Sequence, residues 1–168
     1  MLNPPRLVAV DTNVALDFAK GIDDVCDAIA TIRARVVGVE LLLPPTVVEE
    51  LTDAVLHSPE TDVRAAATKV LRQHRACGFR LVSFIPLGFD QVERIAETLR
   101  LRRLLPAEEV HDSMILTEAA ALGCALLTSS DAELRSVDHE KLVVELSRFD
   151  LTAPVIATPR EIVKKFFK

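Results

Sequence analysis

Short apolar runs, separated by longer stretches with helical periodicity, most strongly limit how this chain can fold. RLVAV (residues 6–10) and VELLL (39–43) are nearly continuous apolar runs, and ALL (125–127) is a third. Such runs are typical of strands in a parallel sheet that is covered on both faces. RLVSF (80–84) and LVVEL (142–146) are weaker strand candidates.

Helical periodicity fills the intervals between the apolar runs. It predicts helices near residues 13–20, 22–36, 45–56, 61–76, 89–103, 107–122 and 159–167. Proline is tolerated in the first turn of a helix, so Pro45, Pro106 and Pro159 fit helix starts. The alternation of strand and helix predicts an α/β fold: a three-layer α/β/α sandwich with a mostly parallel central sheet.

Composition narrows the class of protein. A chain of 168 residues fits a single domain. The formal net charge of -5 does not suggest a nucleic-acid binder, although carboxylates that hold metal ions would still let a polyanion dock through the ions. Aromatic residues make up only 4% of the chain, which disfavours base-stacking platforms.

Cysteine usage and hydropathy bear on the location of the protein. Cys26, Cys77 and Cys124 are widely spaced without a CxxC pair, so neither a zinc site nor a disulfide framework is expected. The N-terminal MLNPPR lacks the apolar region of a signal peptide, and no apolar run approaches the roughly 20 residues that span a bilayer. We therefore expect a cytoplasmic protein with no membrane partner.

Four acidic residues stand where an α/β fold places ligands, beyond the carboxyl ends of the strands. Asp11 directly follows VAV, and Asp131 follows ALLTSS. Glu50 lies in the helix after LLLPP, and Asp112 lies in the first turns of the helix before ALL. Because these segments meet at one edge of a parallel sheet, we expect the four carboxylates to converge there.

Asp112 is the most informative of the four. Ile115, Leu116 and Ala119 follow it at intervals of three, four and seven residues, so Asp112 is in phase with the apolar stripe of its helix. A carboxylate on a core-facing stripe is costly unless it is paired or bound to a metal ion. Glu50 is a weaker case, because periodicity does not choose between it and the glutamate that precedes it.

Each acid also has a purely structural explanation. Asp11 or Asn13 can cap a helix. Ser130, with Glu133 three residues later, matches a capping box. An acid in an early helical turn, such as Asp112, is favoured by the helix dipole. Glu50 could be solvated or paired with an arginine. The convergence of four acids at one edge of the sheet is what these separate explanations do not cover.

Carboxylates without a histidine or cysteine partner are hard oxygen ligands, which suit Mg²⁺ or Mn²⁺ better than zinc. A pair of such ions, about 3.5 to 4 Å apart, orients a water molecule and stabilises an in-line displacement at phosphorus. The chemistry that these acids predict is therefore hydrolysis of a phosphodiester bond.

The motifs around these acids resemble those of the PIN-domain (PilT N-terminus-like) nuclease family. A strand runs into DTN (11–13), and PPTVVE leads into EL (50–51). HDSMILTEAAALGCALLTSSD (111–131) is similar to the family's helix, strand and final acid, and the tail PVIATPREIVKKF looks like its closing strand, proline turn and helix. The resemblance implies one PIN-like domain over residues 1–168, in which the helical segment 57–105 carries no motif.

The resemblance also implies roles for individual residues. The catalytic acids, which would hold one or two Mg²⁺ or Mn²⁺ ions, would be Asp11, Glu50, Asp112 and Asp131. The site would be lined by Thr12, Asn13 and Ser129. Thr128 lies next to Ser129, which leaves open which hydroxyl faces the site.

Many members of the family are ribonucleases, so the resemblance implies an endoribonuclease that acts on single-stranded or structured RNA. Many small bacterial members are VapC-type toxins of toxin–antitoxin pairs, which implies an antitoxin partner, and homodimers are common among relatives. The alternative is a catalytically weak PIN-fold module that binds RNA or serves in assembly. Arg102 and Arg103, just before the Asp112 helix, are the best candidates for contacts with substrate phosphates.

Overall fold

A computed structural model describes residues 6–166. The strands are β1 (Arg6–Val10), β2 (Val39–Leu43), β3 (Phe79–Leu81), β4 (Leu126–Thr128) and β5 (Val155–Ala157). The helices are α1 (Thr12–Lys20), α2 (Asp23–Arg35), α3 (Pro45–His57), α4 (Thr61–Gln73), α5 (Phe89–Leu101), α6 (Val110–Ala121), α7 (Ala132–Ser136), α8 (His139–Ser147) and α9 (Pro159–Phe166).

The strands form a single parallel sheet in the order β3-β2-β1-β4-β5. Together with the helices it makes the predicted α/β/α sandwich, and every strand pair is parallel. The sequence reaches β2 on one side of β1 and β4 on the other. The order of the strands therefore reverses at β1, and in such sheets a crevice opens at the carboxyl end of that strand.

The strands at the centre of the sheet follow the apolar runs closely. Both ends of β1 and β2 are confirmed, and the candidates at 80–84 and 125–127 correspond to β3 and β4, each displaced by one residue at its start. The last three residues of β1 are buried, as are the last three of β2. These strands are covered on both faces, which explains their continuous apolar sequence.

The strand prediction for LVVEL (142–146) is wrong, because this segment lies in α8. Leu142 and Leu146 are fully buried, whereas Val143 and Val144 are exposed. Burial at an interval of four residues is the signature of a helix packed on one side. The start of α8 is also capped by Asp138, whose side chain accepts a hydrogen bond from the Lys141 N–H.

Several helix ends differ from their predicted positions. α6 begins at Val110 and not directly after Pro106, and α5 ends at Leu101 because Arg103 has a left-handed φ of 59°. The helix predicted for 159–167 is confirmed as α9 up to Phe166, and residue 167 lies outside the described residues. Within residues 6–166, none of the helices has the length and apolar character needed to cross a membrane.

Candidate active site

Asp11 lies at the end of β1, where its backbone N–H donates to the Thr128 carbonyl of the adjacent strand (3.0 Å). The side chain caps α1 and is 3% exposed. Its Oδ1 accepts from the Thr12 N–H (2.7 Å), and its Oδ2 accepts from Asn13 Nδ2 (2.9 Å) and Ser129 Oγ (2.5 Å). The expected cap is therefore present, and contacts from a second strand are added to it.

Burial raises the pKa of the Asp11 carboxyl to about 6, and repulsion from Glu50 and Asp131 acts in the same direction. The hydrogen bonds from Ser129 and Thr12 act in the opposite direction, because they stabilise the charged form. Burial outweighs them. The Asp11 carboxyl is thus held in a fixed orientation by its hydrogen bonds, and with a pKa of about 6 it is not fully protonated at neutral pH.

The segment after β4 is joined to the start of α1 by side-chain contacts. Ser129 Oγ donates to Asp11 and accepts from the Asp131 N–H (3.0 Å), while Asn13 Oδ1 accepts from the Ser130 N–H (3.1 Å). Of the two candidate hydroxyls, Ser129 is the one that contacts Asp11. The hydroxyl of Thr128 is buried and has no hydrogen-bond partner among the residues that the structure describes.

Glu50 reaches the same edge of the sheet from α3. Its Oε2 accepts a hydrogen bond from the Thr12 hydroxyl, and its Oε1 lies 2.9 Å from His111 Nδ1. The Glu50 side chain is 25% exposed, whereas its neighbour Glu49 is exposed. Glu50 is therefore the glutamate that connects α1, α3 and α6, a choice that periodicity did not make.

Asp112 lies in the first turn of α6, and its Oδ2 is buried without a hydrogen-bond partner among residues 6–166. Burial raises the pKa of this carboxyl to about 7, and repulsion from Asp131, Asp11 and Glu109 adds to the effect. An ionised oxygen without a partner is costly in such a place. This oxygen is the atom of the site that a bound cation would satisfy most directly.

Asp131 caps α7, since its Oδ1 accepts from the backbone N–H groups of Glu133 (2.7 Å) and Leu134 (3.1 Å). The capping-box alternative centred on Ser130 is therefore wrong, because the cap is formed by the acid that follows it. Asp131 still acts electrostatically on the site, as its charge raises the pKa of both Asp11 and Asp112.

An open cleft of about 770 Å³ lies over these acids. Its lining includes Asp11, Glu50, Asp112, Thr12, Asn13, Glu49, Asp53, His57 and His111. Asp131 is not among the lining residues, and Ser129, which contacts Asp11, is fully buried. The predicted phosphate contacts lie elsewhere: Arg102 is 4.0 Å from Glu145, and Arg103 lines a separate groove.

The donor set fits a hard divalent cation, because every predicted ligand atom is a carboxylate oxygen. Asp112 Oδ2 has no hydrogen-bond partner among residues 6–166, and burial, with added repulsion from neighbouring carboxylates, raises the pKa of both Asp11 and Asp112. In the described part of the chain, no three His, Cys, Asp or Glu side chains already form a group that could hold an ion. Glu50 and Asp131 are engaged by Thr12, His111 and the α7 backbone instead.

Glu118 is a buried acid, affected by the charge of Glu50, that sequence reasoning missed. It lies on α6, is 2% exposed, and accepts hydrogen bonds from the Thr46 N–H (3.1 Å) and hydroxyl (2.8 Å). Burial raises the pKa of its carboxyl to about 7. This contact ties the helix of Asp112 to the start of the helix of Glu50. An acid within the long apolar run of α6 was the signal that could have revealed it.

Replacing Glu118 with glutamine should reduce the pH dependence of folding stability. The carboxyl has an ordinary pKa of 4.5 and a folded pKa of about 7, so the folded protein holds this proton more tightly than the unfolded chain. That stabilisation is fully present below about pH 4.5 and is lost as the pH rises through about 7. The change amounts to about 3 kcal/mol at most.

Urea unfolding at about pH 5 and about pH 8 measures this effect in the wild-type protein and in Glu118→Gln. The exposed Glu97→Gln on α5 is the matched control. If the free energy of unfolding falls as steeply in Glu118→Gln as in the wild-type protein, Glu118 does not carry the proton in question. Asp11 and Asp112 should leave a smaller fall of the same sign in the variant.

Comparison with known proteins gives the family. A scan against models of protein families matches "PIN domain" over residues 8–140. Among solved structures, the chain is similar to one described as VapBC2 from Rickettsia felis bound to a DNA fragment from their promoter, with a TM-score of 0.61 and 11% identity. The match covers 90% of this chain and 98% of that chain. No curated protein matches.

PIN domains are generally nucleases, and they typically use divalent metal ions. This chain belongs to the PIN domain family.

Proposed function

We propose that this protein is a divalent-metal-dependent endoribonuclease. The observation that carries the proposal is the convergence of carboxylates at the end of β1. Asp11, Asp112 and Asp131 come from three separate segments. Besides burial, the charge of Asp131 raises the pKa of both Asp11 and Asp112, and the charge of Asp11 raises the pKa of Asp112. Pairs of carboxylates crowded in this way are common where a protein performs acid–base or metal-assisted chemistry.

The residues that would hold one or two Mg²⁺ or Mn²⁺ ions are Asp11, Glu50, Asp112 and Asp131. When bound, such ions supply a more acidic water and stabilise the charge that develops on the phosphate. The protein's own contribution is to orient the ligands. Ser129 and Asn13 hold Asp11 Oδ2, and Thr12 holds Glu50, so these two carboxylates are kept in fixed orientations.

RNA as the substrate, an antitoxin partner, a cytoplasmic location and a homodimer are parts of the same proposal. Membership of the PIN domain family supports the nuclease chemistry. The similarity to a chain described as VapBC2 supports the assignment to the VapC type of toxin. Growth arrest on expression, relieved by a protein encoded beside it, is the result expected of such a toxin.

Labelled single-stranded RNA and DNA of the same sequence, incubated with the protein and Mn²⁺ or Mg²⁺, test the proposal directly. We expect cleavage of the RNA, loss of cleavage in EDTA, and loss of cleavage in Asp11→Asn. Asp17→Asn, an acid on the same helix outside the cleft lining, is the matched control and should stay active. Cleavage that persists in EDTA or in Asp11→Asn would sink the metal-nuclease proposal.

A second candidate is the catalytically weak module that binds RNA without cleaving it. One observation favours it: among residues 6–166, the acids are not already grouped as a metal site. The same experiment separates the two functions. RNA that is bound but stays intact with Mn²⁺ and Mg²⁺ would support the module, and RNA that is cut would exclude it.

A further inference from the structure

A groove of about 720 Å³ lies between the α5–α6 connection and the start of α8, outside the acidic cleft. It is lined by three cationic side chains, those of Arg100, Arg103 and Lys141, and by one acid, Asp138. We name it the basic groove. The chain as a whole has a net charge of -5, so the basic groove is a local region of positive charge on an acidic protein. A local positive surface of this kind attracts a polyanion even when the whole protein repels it.

The charges of the basic groove are only partly satisfied by the protein. The Asp138 carboxylate contacts Lys141 of α8 twice. Its Oδ1 accepts a hydrogen bond from the Lys141 N–H (3.1 Å), and its Oδ2 lies 3.6 Å from Lys141 Nζ. Arg100 donates a hydrogen bond to the Ser113 hydroxyl. Arg103 is exposed, and no carboxylate of residues 6–166 lies within ion-pair distance of it. Its guanidinium is free to bind an anion.

The backbone of Arg103 gives a second, independent indication. It follows α5 with a left-handed φ of 59°, a conformation that favours glycine at the end of a helix. α1 and α6 are followed by glycines in this conformation, Gly21 (φ 76°) and Gly123 (φ 73°). An arginine costs conformational energy there. Because an arginine stands at position 103 although glycine would make the backbone more stable there, we attribute a function to the arginine side chain.

Both walls of the basic groove lead to acids of the active site. The α5–α6 connection continues into α6, whose first turn carries Asp112, and Arg100 binds the serine next to Asp112. On the other wall, α7 is capped by Asp131 and ends at Ser136, which lines the groove. These five residues of helix span roughly 7 Å. An RNA strand whose reacting phosphate lay at these acids could therefore continue into the basic groove.

We propose that the basic groove binds the phosphate backbone of the RNA next to the position of cleavage, through Arg103 and Lys141 with support from Arg100. The proposal rests on the nuclease function proposed above and extends it. It also distinguishes Arg103 from Arg102, which the sequence analysis named together as candidates for phosphate contacts. Arg103 faces the groove, whereas Arg102 is directed toward Glu145 of α8.

The test measures binding of fluorescein-labelled, mixed-sequence single-stranded RNA by anisotropy, in EDTA and over a range of KCl concentrations. We compare the wild-type protein with Arg103→Gly, Lys141→Ala and the double variant. Arg94→Ala, an exposed cation on α5 away from the groove, is the matched control. Each single groove variant should weaken binding about fivefold at low salt and reduce the slope of log K against log [salt] by about 0.7, and the double variant should show about twice that change in slope.

Arg103→Gly has an additional readout, because glycine suits the backbone at this position. Its melting temperature should equal or exceed that of the wild-type protein while its affinity for RNA falls. Wild-type affinity and salt slope in both groove variants would overturn the groove as a phosphate site. An equal loss in Arg94→Ala would also overturn it, since the effect would then be one of overall charge.

Cleavage by the wild-type protein with Mn²⁺ distinguishes failure of the groove from failure of the nuclease proposal. A wild-type protein that cleaves RNA, together with unchanged binding in Arg103→Gly, would overturn the groove alone. A wild-type protein that neither binds nor cleaves RNA would overturn both.

Discussion

We expect Asp112→Asn to cleave RNA more than about 100-fold more slowly than the wild-type protein, and yet to melt at a higher temperature. The rate is expected to fall because the variant loses one of the proposed metal ligands. The stability rises because the variant removes a carboxylate charge that Asp131, Asp11 and Glu109 repel, and whose Oδ2 is buried without a hydrogen-bond partner among residues 6–166. Removing an unsatisfied buried charge is worth about 1–3 kcal/mol, which corresponds to a rise of about 3–9 °C.

Single-turnover cleavage and thermal unfolding, both at about pH 8 where Asp112 is ionised, measure the two effects together. Asp53→Asn is the matched control, since it makes the same change at a well-exposed acid in the same cleft. It should alter neither property. A variant Asp112→Asn that keeps its activity, or that is destabilised, would contradict the role assigned to this carboxylate.

Mn²⁺ or Mg²⁺ at about 100 times its dissociation constant should raise the melting temperature by about 5–10 °C. The cations would relieve the repulsion among the site carboxylates in the folded state, which the unfolded chain does not share. Thermal unfolding with and without the ion, at an ionic strength matched with KCl, measures the shift. Asp112→Asn should lose most of it, and a shift of equal size in that variant would place the metal elsewhere.

This metal effect should grow as the pH rises, because protons compete with the ion for the carboxylates. The ordinary pKa of both Asp11 and Asp112 is 3.8, and their folded values are about 6 and about 7. Without metal, these raised values stabilise the fold below about pH 3.8, and that contribution is lost as the pH rises through about 7. We therefore expect metal to offset a loss of stability at about pH 8 and to have little effect at about pH 5. An equal shift at both values would contradict this competition.

The parts of the fold that were predictable from sequence are those where one physical signal dominates. β1 and β2 are continuous apolar runs because both faces of the sheet are covered, and their ends were predicted to the residue. α8 was mistaken for a strand, since a five-residue window contains too little of the helical period to distinguish its buried leucines from its exposed valines. Its cap at Asp138 was the local signal that would have corrected the reading.

Sequence reasoning about the site was limited by contacts between distant residues. The rule that ligands lie at the carboxyl ends of strands is enough to select Asp11, Glu50, Asp112 and Asp131 as candidates. It does not show that Glu118 binds Thr46, which lies 72 residues away in the chain. Nor does it separate Arg103 from Arg102, because a single left-handed residue redirects the side chain that carries it.

The hydrogen bond from Ser129 to Asp11 joins residues separated by 118 positions, and this has a consequence for protein synthesis. During translation, β1 and its carboxylate leave the ribosome long before the segment that completes their surroundings. A nascent chain that ends before Ser129 lacks both the serine that holds Asp11 and the acid at position 131. Long-range contacts of this kind are also among the last to form in folding. If the proposed function is correct, the ribosome, itself built of RNA, is therefore exposed to a complete site only when most of the chain has been made.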